Sequence, residues 1–258
     1  MAPGTFCVWS YADPDAGKQV ADGEDKWLFT DHISSLPGVA QGVRLQVAGM
    51  QSTEPPYIHD ISYLTMYEIP DISYTKEKEF KDMVEKCVFS EQDGVRPRVY
   101  EEVERIEAED FKGDPIVGEL VAVVTGEGPP PGTEDEFWRF HRDEFVAAFT
   151  EAPEFIRAQV FRMPESDVNP EVKKACPTGP VLVLYHWDCP EIPWSEVVAA
   201  AQTKGYYKYL ESGIKWQMLN YHSTRFTTGR PARDFDDDDE EDLDDDEEED
   251  DDDDYDEV

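Results

Sequence analysis

The chain has 258 residues, with 60 acidic against 23 basic side chains and a formal charge of −37. Twenty-one of the 25 residues from Asp234 to Val258 are acidic, so residues 1–233 keep 39 acids beside all 23 bases, a net −16. A body this acidic repels phosphate backbones and anionic lipid surfaces, which argues against nucleic-acid and membrane partners.

No apolar run approaches the ~20 residues of a membrane span. The opening Met1-Ala2-Pro3-Gly4-Thr5 lacks the basic-then-apolar order of a secretory signal, so a soluble, cytoplasmic protein is expected. In chain order, Phe6 to Tyr11 reads as a strand, followed by a helix around Trp27, then Pro37, then a strand over Val43–Val47. Tyr63 to Ile69 reads as a buried strand. Phe80, Met83, Val84 and Cys87 follow at i, i+3, i+4, i+7, one face of a helix. A strand over Arg98–Ile106 closes this half.

The pattern then repeats. Gly118 to Thr125 opens as a strand, and Thr133-Glu134-Asp135-Glu136 predicts a capping box for a helix around Trp138. Phe137, Trp138, His141, Phe145, Ala148 and Phe149 form its apolar stripe. Pro153 precedes a strand over Phe155–Phe161, and Val181 to Trp187 matches Tyr63 to Ile69. Trp194, Val197, Val198 and Ala201 repeat the helical spacing, with Pro193 in the first turn. Lys215 to Arg225 is the last strand. Each half is β-α-β-β-α-β, which predicts an α+β protein in which two ferredoxin-like repeats pack into one barrel with helices outside. The expected units are 1–112, 113–230 and a disordered acidic tail over 231–258, whose carboxylates repel and whose apolar residues are too few to bury. That tail either solubilises the chain or serves as an arm for a basic protein partner. The proline-containing segment 164–180 reads as a surface loop.

Four cysteines, Cys7, Cys87, Cys176 and Cys189, are too scattered for a disulfide framework. Cys7 and Cys87 read as buried thiols in apolar settings.

Trp27, then Asp31-His32-Ile33, Leu36-Pro37-Gly38, Arg44, Leu64 and Tyr67-Glu68 resemble the pattern of EthD-like proteins, in the dimeric α+β barrel group. The match covers most of residues 5–90. Asp31 stands where glutamate is usual, no proline follows Ile33, and Leu45 replaces a common aromatic. In the second half Asp143 stands five residues after Trp138, where the motif has histidine. The resemblance implies a tandem fusion of two units that need not be equivalent. It also implies accessory proteins of oxidative degradation, cofactor-free decarboxylases or cyclases acting on polyketide-like aromatics, or heme-using relatives.

His32 is the foremost catalytic candidate, because an imidazole moves protons near neutrality without a cofactor. It reads equally as a structural histidine bonded to a loop carbonyl. Tyr67 is the second, as a phenol that donates to a developing oxyanion, against the plainer reading of a core tyrosine. Arg44, Trp27, His141, Tyr185 and His222 are the substrate-binding candidates. Alternation turns Glu68 and His186 to the sheet face opposite Tyr67 and Tyr185. His141 and Glu144 sit at i, i+3, but two ligands fall short of a catalytic zinc site. No metal or cofactor is expected. The sequence thus predicts a cofactor-independent decarboxylase, cyclase or dehydratase for an aromatic or polyketide-like molecule, with an oxidative enzyme or accessory, or a ligand carrier, as alternatives.

Overall fold

Eight strands and a few short helices make up the described chain. The computed structural model of the chain describes residues 2–10, 33–47, 63–86, 96–109, 119–129, 131–164, 179–211 and 216–226. The strands are β1 (Gly4–Ser10), β2 (Gln41–Val47), β3 (Tyr63–Ile69), β4 (Arg96–Glu107), β5 (Leu120–Gly126), β6 (Phe155–Arg162), β7 (Val181–Trp187) and β8 (Trp216–Phe226). All eight fall where the apolar patterning placed them. The helix expected around Trp27, residues Trp27 and His32 themselves, Cys87, Cys176, most of the 164–180 loop and the acidic tail lie outside the described residues.

The strands form one closed barrel in the order β1-β3-β2-β8-β5-β7-β6-β4. Within the first half the order is β4-β1-β3-β2, and within the second it is β8-β5-β7-β6, the same arrangement of first to fourth strand. The halves join where β2 pairs with β8 and β4 with β6, and every pairing is antiparallel. The sequence pattern expects two sheets that pack face to face. The structure goes further, because their edges hydrogen-bond on both sides and no strand edge is left open. Since every neighbour is antiparallel, β1, β2, β5 and β6 start at one mouth of the barrel, and β3, β4, β7 and β8 end there.

Strand alternation sorts the side chains into three apolar layers. Inward residues of both halves, among them Cys7, Trp9, Leu45, Leu64, Met66, Tyr100, Val123, Leu184 and Tyr221, fill the barrel. Outward residues of the first half (Phe6, Val8, Tyr67, Ile69) pack against Ile33, Leu36 and Phe80. Outward residues of the second half (Leu120, Ala122, Tyr185, Trp187) pack against Val146, Phe149 and Ala200. Each large apolar side chain taken from water contributes about 1.5–3 kcal/mol, so the layers, more than helix propensity, hold these short helices.

Helix α1 (Lys78–Lys86) turns Phe80 inward, with Met83 and Val84 half-buried. Helix α2 (Glu134–Phe140) runs into a π-helical turn at His141–Val146 and a last turn at Ala147–Phe149. Thr133 stands at its N-cap, but its side chain makes no capping bond. The hydroxyl half of the expected capping box is therefore not formed, and Glu134 accepts from the Gly132 N–H (2.7 Å). Helix α3 (Trp194–Ala201) corrects a second expectation. Trp194 is 63% and Val198 50% exposed, whereas Ala200 is buried. The four apolar positions do share a spacing, but the helix sits on the sheet through Val197 and Ala200, because a small residue permits close approach.

Candidate functional site

The sequence candidates divide between the two helix-to-sheet layers. In the first half, Arg44 on β2 and Thr65 on β3 are directly opposite each other, and Tyr67 follows two residues on along the same face. Tyr67 is fully buried and its ring stacks on Phe6 at 6.0 Å. Arg44 is also buried, 6% exposed, although an arginine on a strand ordinarily faces water. The structure therefore brings Arg44 and Tyr67 onto one face beneath Ile33, the residue that follows His32.

In the second half, the first turn of the π-helical segment aims His141 at the sheet. Its Nε2 lies 2.8 Å from the hydroxyl of Tyr185 on β7. Both side chains are buried, and Phe137 and Phe145 stack on the imidazole at 6.4 and 6.1 Å while Trp138 meets it edge-on at 5.6 Å. Phe149 and Trp187 complete the box around Tyr185. Loss of water, with a smaller contribution from the neighbouring Arg142 charge, pushes the His141 pKa from 6.5 down to about 3. Burial likewise raises that of Tyr185. At neutral pH the pair is a neutral imidazole sharing a proton with a neutral phenol. Extra residues in a π-helical turn re-aim a side chain, and such turns recur at functional sites.

Glu144 is exposed while His141 is buried, so the two do not share a metal. Among the described residues no three metal-binding side chains come together. His222 is half-buried on β8, in register with Leu120 on the outward face, apart from the His141–Tyr185 contact.

A third cluster went unseen in the sequence. At the mouth where β1 starts, inward-facing Thr5, Gln41, Glu68, Glu102, Arg105, Arg157, Gln159 and His186 line a cavity of about 50 Å³. Arg105 donates from Nε and Nη2 to both oxygens of Glu102 (2.6 and 2.8 Å), which also accepts from Gln159 (3.0 Å). Gln41 donates to Glu68 (2.7 Å). Two β-bulges build this mouth. One between Glu102 and Glu104 lets Glu102 and Arg105, three residues apart, reach the same cavity. The other, between Phe155 and Arg157, turns Phe155 out to the aromatic layer and Arg157 in. Strict alternation predicts neither. The one available signal was the inward turn of Glu68 and His186 opposite their tyrosines.

The architecture is that of the dimeric α+β barrel proteins, here completed by two ferredoxin-like halves of one chain. An anthrone oxidase-like protein superposes with a TM-score of 0.51 at 12% identity, covering 90% of this chain and 96% of its own. A variant of the chlorite dismutase of Candidatus Nitrospira defluvii reaches 0.49 at 8% identity, with 87% and 91% covered. A ferredoxin-fold protein from Listeria monocytogenes 4b F2365, related to antibiotic biosynthesis monooxygenases, reaches 0.39 at 12%, with 87% and 96% covered. At these identities the likeness is one of fold. No family model matches the sequence, so the narrower EthD resemblance gains no support there. No curated protein matches it either.

Some proteins of this broad group carry heme. His141 and His186 do not suit one: His141 Nε2 is taken by Tyr185 and its ring is flanked by phenylalanines, while His186 faces a cavity of only about 50 Å³. No helix among the described residues is long and apolar enough to cross a membrane.

Proposed function

We propose that this protein is a small-molecule enzyme that transfers protons on a largely apolar aromatic or polyketide-like substrate, as a decarboxylase, cyclase or dehydratase. The observation that carries the reading is the 2.8 Å contact between His141 Nε2 and the Tyr185 hydroxyl, inside an aromatic box at a π-helical turn. Aromatic walls suit a planar apolar substrate, and the water-poor layer strengthens each hydrogen bond made there. Tyr185 donates its proton to the enolate oxygen that develops when a carbon–carboxylate bond breaks beside a carbonyl and carbon dioxide leaves. The Nε2–H of the neutral His141 donates a hydrogen bond that steadies the resulting phenolate, which regains its proton from water. The anthrone oxidase-like fold relative lends support to an aromatic substrate.

The test is turnover of a panel of β-keto acids and polyphenolic anthrones by the full chain and its variants. His141→Gln and Tyr185→Phe are each expected to lower turnover by roughly 10²–10⁴-fold, the range of a lost general acid or base. Wild-type rates in folded variants of both would dismiss the pair. A second reading places the chemistry in the first half, with His32 as acid or base, Tyr67 as oxyanion donor, Trp27 against the substrate and Arg44 as carboxylate partner. The burial of Arg44 on the Tyr67 face favours it. His32→Gln tells the two apart, since it silences the enzyme only under the second.

A further inference from the structure

The barrel mouth lies on the opposite side of the sheet from both tyrosines, and its contents are independent of the function proposed above. His186 on β7 is 1% exposed and lines the cavity, yet among the described residues neither ring nitrogen has a hydrogen-bond partner. Leaving such a group buried and unpaired costs about 1–3 kcal/mol, so a ligand that satisfies it is favoured. Directly opposite, on β6, is Arg157, itself 4% exposed and lining the same cavity. Directly opposed pairs have Cβ atoms about 4.5–5.5 Å apart, close enough for one small group to touch both.

We propose that this mouth binds a small carboxylate, received by the His186 ring N–H and the Arg157 guanidinium. Glu102 accepts from Arg105 and Gln159, and Glu68 accepts from Gln41, and none of these bonds reaches His186. What the two arginines present to His186 is positive. Burial first, and then Arg157 and Arg105, keep that ring neutral, with one N–H to give. A planar guanidinium beside a neutral N–H donor matches the two oxygens of a carboxylate better than it matches a spherical halide. A cavity of about 50 Å³ admits a few waters or one carboxylate head. It does not admit an aromatic ring system.

Two sources offer that chemistry. One is a free small acid of acetate size. The other is the chain itself, because β8 ends at Phe226 in register with Val43, a residue lining the mouth. Asp234, the first of the 21 tail acids, follows eight positions later, within a reach of roughly 26 Å.

The experiment follows the ring nitrogens of His186 by NMR in ¹⁵N-histidine-labelled full chain, together with its melting temperature. Sodium acetate and sodium formate are titrated at constant ionic strength against sodium chloride. A saturable shift of the His186 nitrogens with the carboxylates and not with chloride is expected. At least a tenfold loss of apparent affinity is expected in His186→Leu and Arg157→Met. A full-length chain with its 21 tail acids replaced by the corresponding amides separates the sources. An equal response in both chains identifies a free acid, whereas a response that emerges only in the amide chain identifies the tail as occupant. If neither chain responds, the cavity holds water only and the proposal is wrong. A response that survives both substitutions places the binding elsewhere and also overturns it. Should either variant fail to fold, the His186 resonances of the unsubstituted chain decide alone.

Discussion

Tyr67 and Tyr185 stand at the same position in the two halves, on the helix side of β3 and β7, and Glu68 and His186 follow them on the barrel side. The neighbours differ. Tyr67 stacks on Phe6 in a layer that includes Phe80 and is otherwise mostly aliphatic (Val8, Ile33, Leu36, Val39, Ile69), whereas Tyr185 bonds His141 among Phe145, Phe149, Phe155 and Trp187. Glu68 is half-buried and bonded to Gln41, while His186 is enclosed. A symmetric dimer of single units must repeat every residue twice. One chain that carries both units is free of that constraint, and among the described residues the second half holds the larger aromatic cluster and both buried imidazoles.

The comparison breaks most readily on packing. Phe149 touches Phe145, Phe155, Tyr185 and Trp187 with ring centroids 5.1–6.2 Å apart. Phe149→Ala is expected to lower stability by about 3–5 kcal/mol, the cost of a vacated aromatic site in a dense core. Phe80, the buried helical ring of the first half, meets among the described residues the rings of Phe6 and Tyr74. Phe80→Ala should cost less, at the low end of that range. Urea midpoints of the two variants at pH 7 measure both. A larger loss at Phe80 would show that the first layer is the tighter one.

A subtler change reaches the His141 contact itself. Tyr185→Phe keeps the ring and leaves the His141 imidazole without the phenol. The expected loss is about 1–3 kcal/mol, the penalty of a buried polar atom stripped of its partner. No loss would mean that a water or another group takes the hydroxyl's place.

The barrel was legible because its evidence is periodic. Eight apolar runs, two matched strand-helix pairs and a duplicated order of elements all constrain one another, so bounds shifted only by a residue or two. The candidate site was less legible, for local reasons. Tyr185 and His141 are 44 residues apart, and the helical turn that aims the imidazole widens to π-helix, which no spacing rule announces. At the mouth, two bulges overturn the alternation that places every other inward residue. Trp194 and Val198 show the same limit from the opposite side: their spacing is that of a buried face, yet they are exposed because Ala200 allows the helix to dock on another edge.

Acidification probes the second half by another measure. The folded pKa of His141 is depressed from 6.5 to about 3, and that of His186 lies well below the same value. Below pH 6.5 the unfolded chain binds protons that the folded chain refuses, so stability falls as pH falls and is fully present above that value. Each histidine contributes at most about 1.4 kcal/mol per pH unit. His141 faces Tyr185 and the Arg142 charge, and His186 faces Arg157 and Arg105 with Glu68 and Glu102 beyond. Urea midpoints from pH 7 to 5 read this slope before most carboxylates titrate. His141→Leu should flatten part of it. A stability flat across that interval would show that the imidazoles are reached by water.

The smallest expected effect concerns Glu68, the counterpart of His186. Glu68→Gln preserves the shape of the side chain and an oxygen that still accepts from Gln41, and it removes one charge from a half-buried position. Opposite charges near water stabilise by about 0–1 kcal/mol, so a change within that span is expected. Arg157 sharpens the test, because Glu68 is one of three carboxylates, with Glu107 and Glu102, that hold its charge inside the mouth. Removing a true buried counterion costs about 3–5 kcal/mol, since the remaining charge is stranded. A loss of that size in Glu68→Gln, read from denaturant midpoints at pH 7, would make Glu68 and Arg157 one buried pair spanning the two halves. A loss below about 1 kcal/mol leaves Arg157 balanced by β4, and the acid of one half and the imidazole of the other then do separate work at the same mouth.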